Sequence, residues 1–127
     1  MSDLDIELCY LPATKAIEQF KQKKLSPVEL LSEIIKRADQ INPKINAFNF
    51  TCYEEAMDQA RKSEGKYINN PDEVLPLEGI PLAIKDESGI EGHPNTFGSL
   101  ILKDYIAEYT DADLEKLSNS GAIIHAR

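Results

Sequence analysis

The segment from Leu77 to Asp86, LEGIPLAIKD, constrains the fold of this chain more than any other. Gly79 and Pro81 punctuate its start. Ile80, Leu82 and Ile84 then recur at period two, the spacing that puts residues on one face of a β-strand. Ala83 and Lys85 share the opposite face. An apolar strand of this kind belongs in a mostly parallel sheet that is covered on both faces. Its lysine would leave at the carboxyl end, where open α/β sheets gather their chemistry. An ammonium group placed there sheds water, and the loss of solvation favours the neutral amine that can act as a base. The plainer reading of the same residue is a strand-end lysine whose alkyl stem carries its charge back into water.

The flanking pattern supplies helices and a second strand. Ala13, Ile17 and Phe20 predict one apolar face on a helix over about 13–23. Ser26-Pro27-Val28-Glu29 is a capping box with proline in the first turn. The helix it opens carries Val28, Leu31, Ile35 and Ala38 as its buried stripe and is expected to stop at Asn42-Pro43. INAFNF is a short extended piece. Thr51-Cys52-Tyr53-Glu54 predicts a second capping box, for a helix ending near Glu64 with Gly65 just past its end. Residues 66–78 read as a loop, and Ser88 to Ser99 as a Gly- and Pro-bearing stretch. Thr110 is the expected cap of a helix over 111–120, Gly121 closes it, and AIIHA is a short buried strand. Strand, helix and strand in that order predict a right-handed βαβ crossover. The fold class is therefore α/β: N-terminal helices followed by a βαβ piece of a mostly parallel or mixed sheet, with residues 1–127 as one domain. So few strands leave sheet edges and helix faces open, which predicts self-association into a homo-oligomer.

Composition narrows the function classes. A net charge of −8 and a pI near 4.7 argue against nucleic-acid or anionic-membrane partners, which need clustered cations. Lys21, Lys23 and Lys24 form a small cluster that reads as a solvated helix end. The apolar runs are too short to span a bilayer, and the acidic start MSDLDIELCYL has no basic leader region. Cys9 and Cys52 make neither a disulfide framework nor a ligand spacing, so free thiols in the cytoplasm are expected. His93 and His125 likewise give no metal signature, and the six scattered glycines form no phosphate loop. No cofactor is predicted.

LEGIPLAIKD, with NTFGSLILKDY and the closing DADLEKLSNSGAIIHAR, resembles the amidase signature family of carbon–nitrogen hydrolases. LSPVELLSEIIKRADQINPKINAF is similar to that family's helical entry, so the resemblance runs from about Leu11 to Arg127. It implies the family's α/β/α sandwich, of which this would be an incomplete N-terminal part. It also implies that Lys85 is the lysine of a Ser–cis-Ser–Lys triad acting on a small-molecule carboxamide. The triad's serines lie in and after a Gly/Ser-rich run downstream of the lysine. Here the Ser-Gly and Gly-Ser pairs at 88–89, 98–99 and 120–121 are isolated. A catalytically incomplete chain is therefore expected, inactive alone. Alternatives are a non-catalytic self-associating module and part of the glutaminase subunit of a tRNA-dependent amidotransferase. In the family pattern Asp86 shapes the turn after the lysine, and Thr96, Gly98 and Ser99 form a backbone-shaping loop and helix cap. Glu87, if it lies close, would hold the Lys85 ammonium charged.

Overall fold

The computed structural model describes residues 5–127; the acidic start at 1–4 lies outside them. Helices α1 (Ile6–Cys9), α2 (Ala13–Lys21), α3 (Pro27–Ile45) and α4 (Tyr53–Asn69) come first, with a 3-10 turn over Pro71–Glu73. Strand β1 (Pro81–Ala83), helix α5 (Ala112–Asn119) and strand β2 (Ile123–Ala126) follow. The two strands pair in parallel, with Pro81 opposite Ile123 and Leu82 opposite Ile124, and a register shift before Ala83 meets Ala126.

α3 begins as its sequence predicts. Ser26 Oγ accepts from the Glu29 N–H, and the Glu29 carboxylate accepts from the Ser26 N–H. Its end differs from expectation, because Pro43 lies inside the helix, which runs on to Ile45 and closes on a left-handed Asn46. Asn42 makes this workable: its side-chain amide donates to the Phe48 carbonyl and its oxygen accepts from the Phe48 N–H. That pair turns the chain after the proline has interrupted the helical ladder.

α4 also departs from its predicted limits. Cys52, not Thr51, is its cap residue, and no side chain caps it; Gly65 sits inside, four residues short of the end. Tertiary contact overrides the glycine here. Tyr67 packs its ring on Phe20, with centroids 5.5 Å apart, and donates its hydroxyl to the Glu78 carbonyl. α5 starts at Ala112 because Thr110 and Asp111 are engaged elsewhere, accepting from the Glu91 and Gly89 N–H groups.

Two apolar clusters hold the helices together. Ala16, Phe20, Leu25, Leu30 and Tyr67 form one; Leu31, Ala56, Ala60 and Ile123 form the other. α3 feeds both, through the adjacent Leu30 and Leu31, so its buried surface is wider than the predicted stripe. On α2 the inward residue is Ala16, and Ala13 is exposed. Each buried leucine or phenylalanine is worth roughly 1.5–3 kcal/mol of transfer free energy. α3 and α4 pack on Ile123 of β2, while Ala83 and Lys85 of the β1 segment stay exposed.

The extended piece before α4 joins the sheet edge. Thr51 bridges Ala126 antiparallel, the Arg127 N–H donates to the Phe50 carbonyl, and the Cys52 N–H donates to the His125 carbonyl.

Candidate active site

The turn after β1 is fixed by backbone and side chain together. The Ile84 N–H donates to the Ala126 carbonyl at 3.0 Å, and the Lys85 carbonyl accepts from the Ser88 N–H at 3.2 Å. The Lys85 backbone is thus anchored while its ammonium reaches solvent. Its side chain is 78% exposed, and Nζ lies 3.2 Å from a Glu87 carboxylate oxygen. The described residues leave this lysine solvated and supply none of the expected desolvation. Glu87 does lie close, as the pattern allowed, and an exposed pair of this kind is worth at most about 1 kcal/mol.

Asp86 holds the turn's conformation. Its carboxylate accepts from Thr96 Oγ1 at 2.6 Å, from Asn49 Nδ2 at 2.7 Å, and from the Thr96 N–H at 3.2 Å. Its own carbonyl accepts from Asn95 Nδ2 at 2.9 Å. Burial pushes this carboxyl up, and the hydrogen bonds from Thr96, Asn49 and Asn95 together carry it below the usual carboxylate value. Arg127, with only 1% of its side chain exposed, reaches the same carboxylate at 3.6 Å and donates to the Pro94 carbonyl. Its second terminal nitrogen is buried without a hydrogen-bond partner among the described residues.

Residues 49, 86, 95, 96 and 127 therefore converge beside Lys85 from four separate stretches of chain. Asp86 as the shaper of this turn is legible in sequence; Asn49, Asn95 and Arg127 as its partners are not. Thr96, Gly98 and Ser99 form consecutive turns and cap no helix: Thr96 Oγ1 accepts from the Gly98 N–H and Ser99 Oγ from the Ile101 N–H. Phe97 between them takes a left-handed φ of 52°.

The histidines separate. His125 is buried in β2, with Phe48 edge-on at 5.9 Å and Tyr53 stacked at 6.2 Å. Burial pushes its pKa down to about 4, so it is neutral at physiological pH. His93 is half-buried and sits 3.5 Å from Glu55, with Cys52 nearby. Spacing along the chain gave no hint of that grouping. An apolar cavity of about 210 Å³ between the second half of α3 and Phe48 contains no residue of the Lys85 turn.

Comparison with known proteins adds four findings. The amidase family model matches residues 29–127. The chain is 36% identical, over 106 residues, to the A-subunit of the glutamyl-tRNA(Gln) amidotransferase of Methylacidiphilum infernorum (isolate V4), covering 84% of this chain and 20% of that protein. It superposes on a bacterial aryl acylamidase belonging to the amidase signature enzymes with a TM-score of 0.81 at 28% identity, covering 91% of this chain and 24% of that one. Fatty acid amide hydrolase shares the fold at a TM-score of 0.89 and 20% identity, with all of this chain matched to 22% of that one. The chain thus spans between a fifth and a quarter of the length of the proteins it matches.

Proposed function

Because the chain belongs to the amidase family, we propose that it is the N-terminal portion of an amidase signature hydrolase acting on carboxamides, with Lys85 as the base of its Ser–cis-Ser–Lys triad. A serine becomes a nucleophile when a base takes its proton, and a desolvated lysine can do so through an intervening serine. Attack on the amide carbonyl gives an acyl-enzyme and releases amine or ammonia; water then frees the acid. The serines would come from polypeptide outside these residues, so the 127-residue chain alone is inactive.

The observation that carries this reading is the turn at Lys85. Hydrogen bonds from Asn49, Asn95 and Thr96 to the adjacent Asp86 hold the backbone at the end of β1, while the lysine side chain is left exposed. That geometry suits a base which a further layer of protein covers and desolvates. The small molecule taken by the complete enzyme is a carboxamide. A second reading, in which that carboxamide is glutamine and the longer protein a glutaminase subunit, is favoured by the name of the amidotransferase relative.

Two properties belong to the same proposal. Open sheet edges and helix faces lead the isolated chain to self-associate. Its two free cysteines suit the cytoplasm, and no described helix is long and apolar enough to cross a membrane.

The test grafts residues 29–127 into the aryl acylamidase in place of the matched stretch. Anilide hydrolysis that survives the graft and is lost with Lys85→Ala supports the assignment. Hydrolysis that persists in the Lys85→Ala chimera refutes it. Ammonia release from carboxamides or glutamine by the 127-residue chain alone would refute the incomplete-site half of the proposal.

A further inference from the structure

We propose that Cys52, Glu55 and His93 form a binding site for a divalent cation of the zinc class, tying the start of α4 to the loop that follows Lys85. Sulfur, carboxylate oxygen and imidazole nitrogen lie within 4.8 Å of one another. His93 Nε2 and the Glu55 oxygen are already 3.5 Å apart. Zinc bonds of about 2.0–2.3 Å arranged tetrahedrally put neighbouring ligand atoms roughly 3.3–3.8 Å apart. One pair therefore stands at coordination spacing, and the sulfur lies no more than 4.8 Å from either partner.

The backbone beneath these ligands is fixed. Cys52 and Glu55 are three residues apart across the first turn of α4 and so face the same way. The Cys52 N–H donates to the His125 carbonyl, and its carbonyl accepts from the Ala56 N–H. The His93 N–H donates to the Ile90 carbonyl, its carbonyl accepts from the Ala107 N–H, and its ring meets Phe50 edge-on at 5.7 Å. The three groups border a cavity of about 300 Å³ that Gln59 and Ser118 also line, leaving room for a water as fourth ligand.

The donor set selects the ion. A thiolate with an imidazole suits zinc or cobalt and disfavours calcium and magnesium, which take all-oxygen shells. Thiolate and carboxylate together neutralise the dication, outweighing the half-charge at the helix start. The thiol at present donates to the Ile124 carbonyl at 3.3 Å. On binding, its proton leaves to solvent as the sulfur–metal bond forms. An ion pair between an exposed glutamate and a neighbouring histidine is commonplace; the sulfur is what sets this cluster apart.

The experiment is cobalt titration of the reduced 127-residue chain, followed by zinc displacement. Expected are a sulfur-to-cobalt charge-transfer band that saturates at one cation per chain, its bleaching by zinc, and a rise in Tm with zinc. Cys52→Ser keeps a donor for the Ile124 carbonyl and should abolish the band. Glu55→Gln and His93→Gln should each weaken zinc binding by at least about tenfold, since even outer-shell partners are worth 10–100-fold. Cys9→Ser should change nothing, and far-UV circular dichroism checks that each variant is folded. A chain that gives no saturable band overturns the proposal. So does a band that survives in folded Cys52→Ser, or one lost in folded Cys9→Ser.

Discussion

Alanine placed at two glycines of this chain should move its stability in opposite directions. Gly121 follows α5 with φ of +93°, where residues with a side chain are strained by about 1–3 kcal/mol. A Cβ there would also lie 2.7 Å from the Glu78 Cα and 2.9 Å from its nitrogen. Both are backbone atoms, held because the Gly79 N–H donates to the Gly121 carbonyl at 2.9 Å and the Leu77 N–H to the Ser120 carbonyl at 2.8 Å. Relieving the overlap must therefore displace the approach to β1, an overpacking cost of about 1–3 kcal/mol. Together Gly121→Ala should lose about 3 kcal/mol, a large part of the 5–15 kcal/mol typical of a domain. Gly65 sits inside α4, and a methyl group added there would meet nothing within 4 Å. Gly65→Ala should gain about 0.5–1 kcal/mol by removing backbone freedom from the unfolded chain. Urea unfolding reads both. With an m-value near 2 kcal/mol/M, the midpoint should fall by about 1.5 M in one variant and rise by about 0.3–0.5 M in the other. A loss below about 1 kcal/mol for Gly121→Ala, or any loss for Gly65→Ala, would refute the reasoning.

Three further outcomes follow from contacts described above or beside them. Glu78 is 3% exposed, with Ser63 Oγ donating to it at 2.6 Å and Lys66 Nζ at 2.9 Å; Glu78→Ala should cost about 2–3 kcal/mol in urea, and Glu78→Gln less, because the amide oxygen keeps one of those bonds. His125 is held neutral down to about pH 4, whereas in the unfolded chain it charges near 6.5; its contribution is complete above 6.5 and is lost as pH falls toward 4, by up to about 1.4 kcal/mol per unit. His125→Phe should flatten that slope, and an unchanged slope in urea titrations across this window would contradict it. Lys85→Ala should leave the unfolding free energy read in urea within about 0.5 kcal/mol of the parent, because the side chain it removes is solvated.

How far the sequence was readable depended on the range of the interaction. The Ser26–Glu29 capping box and the Leu82 strand were visible because their signals are local. Gly65 misled as a stop signal because Tyr67 packing on Phe20 is decided elsewhere in the fold, and Pro43 because Asn42 reaches six residues on to Phe48, a nearby contact that helix-stop patterns do not carry. The same division runs through the site. Lys85 and Asp86 stood out by position on a strand and by family pattern. Asn49 and Asn95 are ordinary loop residues until the fold sets them against Asp86. The solvation of Lys85 stayed open between two readings for a related reason: alternation says which face a residue is on, and only the surrounding chain decides whether its side chain is covered.

The strand β2 is stitched on both sides to segments far back along the chain: 72 positions separate Cys52 from Ile124, whose carbonyl its thiol reaches, and Ile123 draws on the Ile80 carbonyl. Contacts of such long reach repay the entropy of closing their loops only after everything between them is in order. The helices themselves are built from local contacts and are expected to form early; β2 is expected to dock late, completing both the sheet and the anchor beneath Lys85. In time, then, the turn at Lys85 should be the last part of this chain to settle. Substitutions at Ile123 should slow folding little and speed unfolding most, which stopped-flow chevrons would show directly.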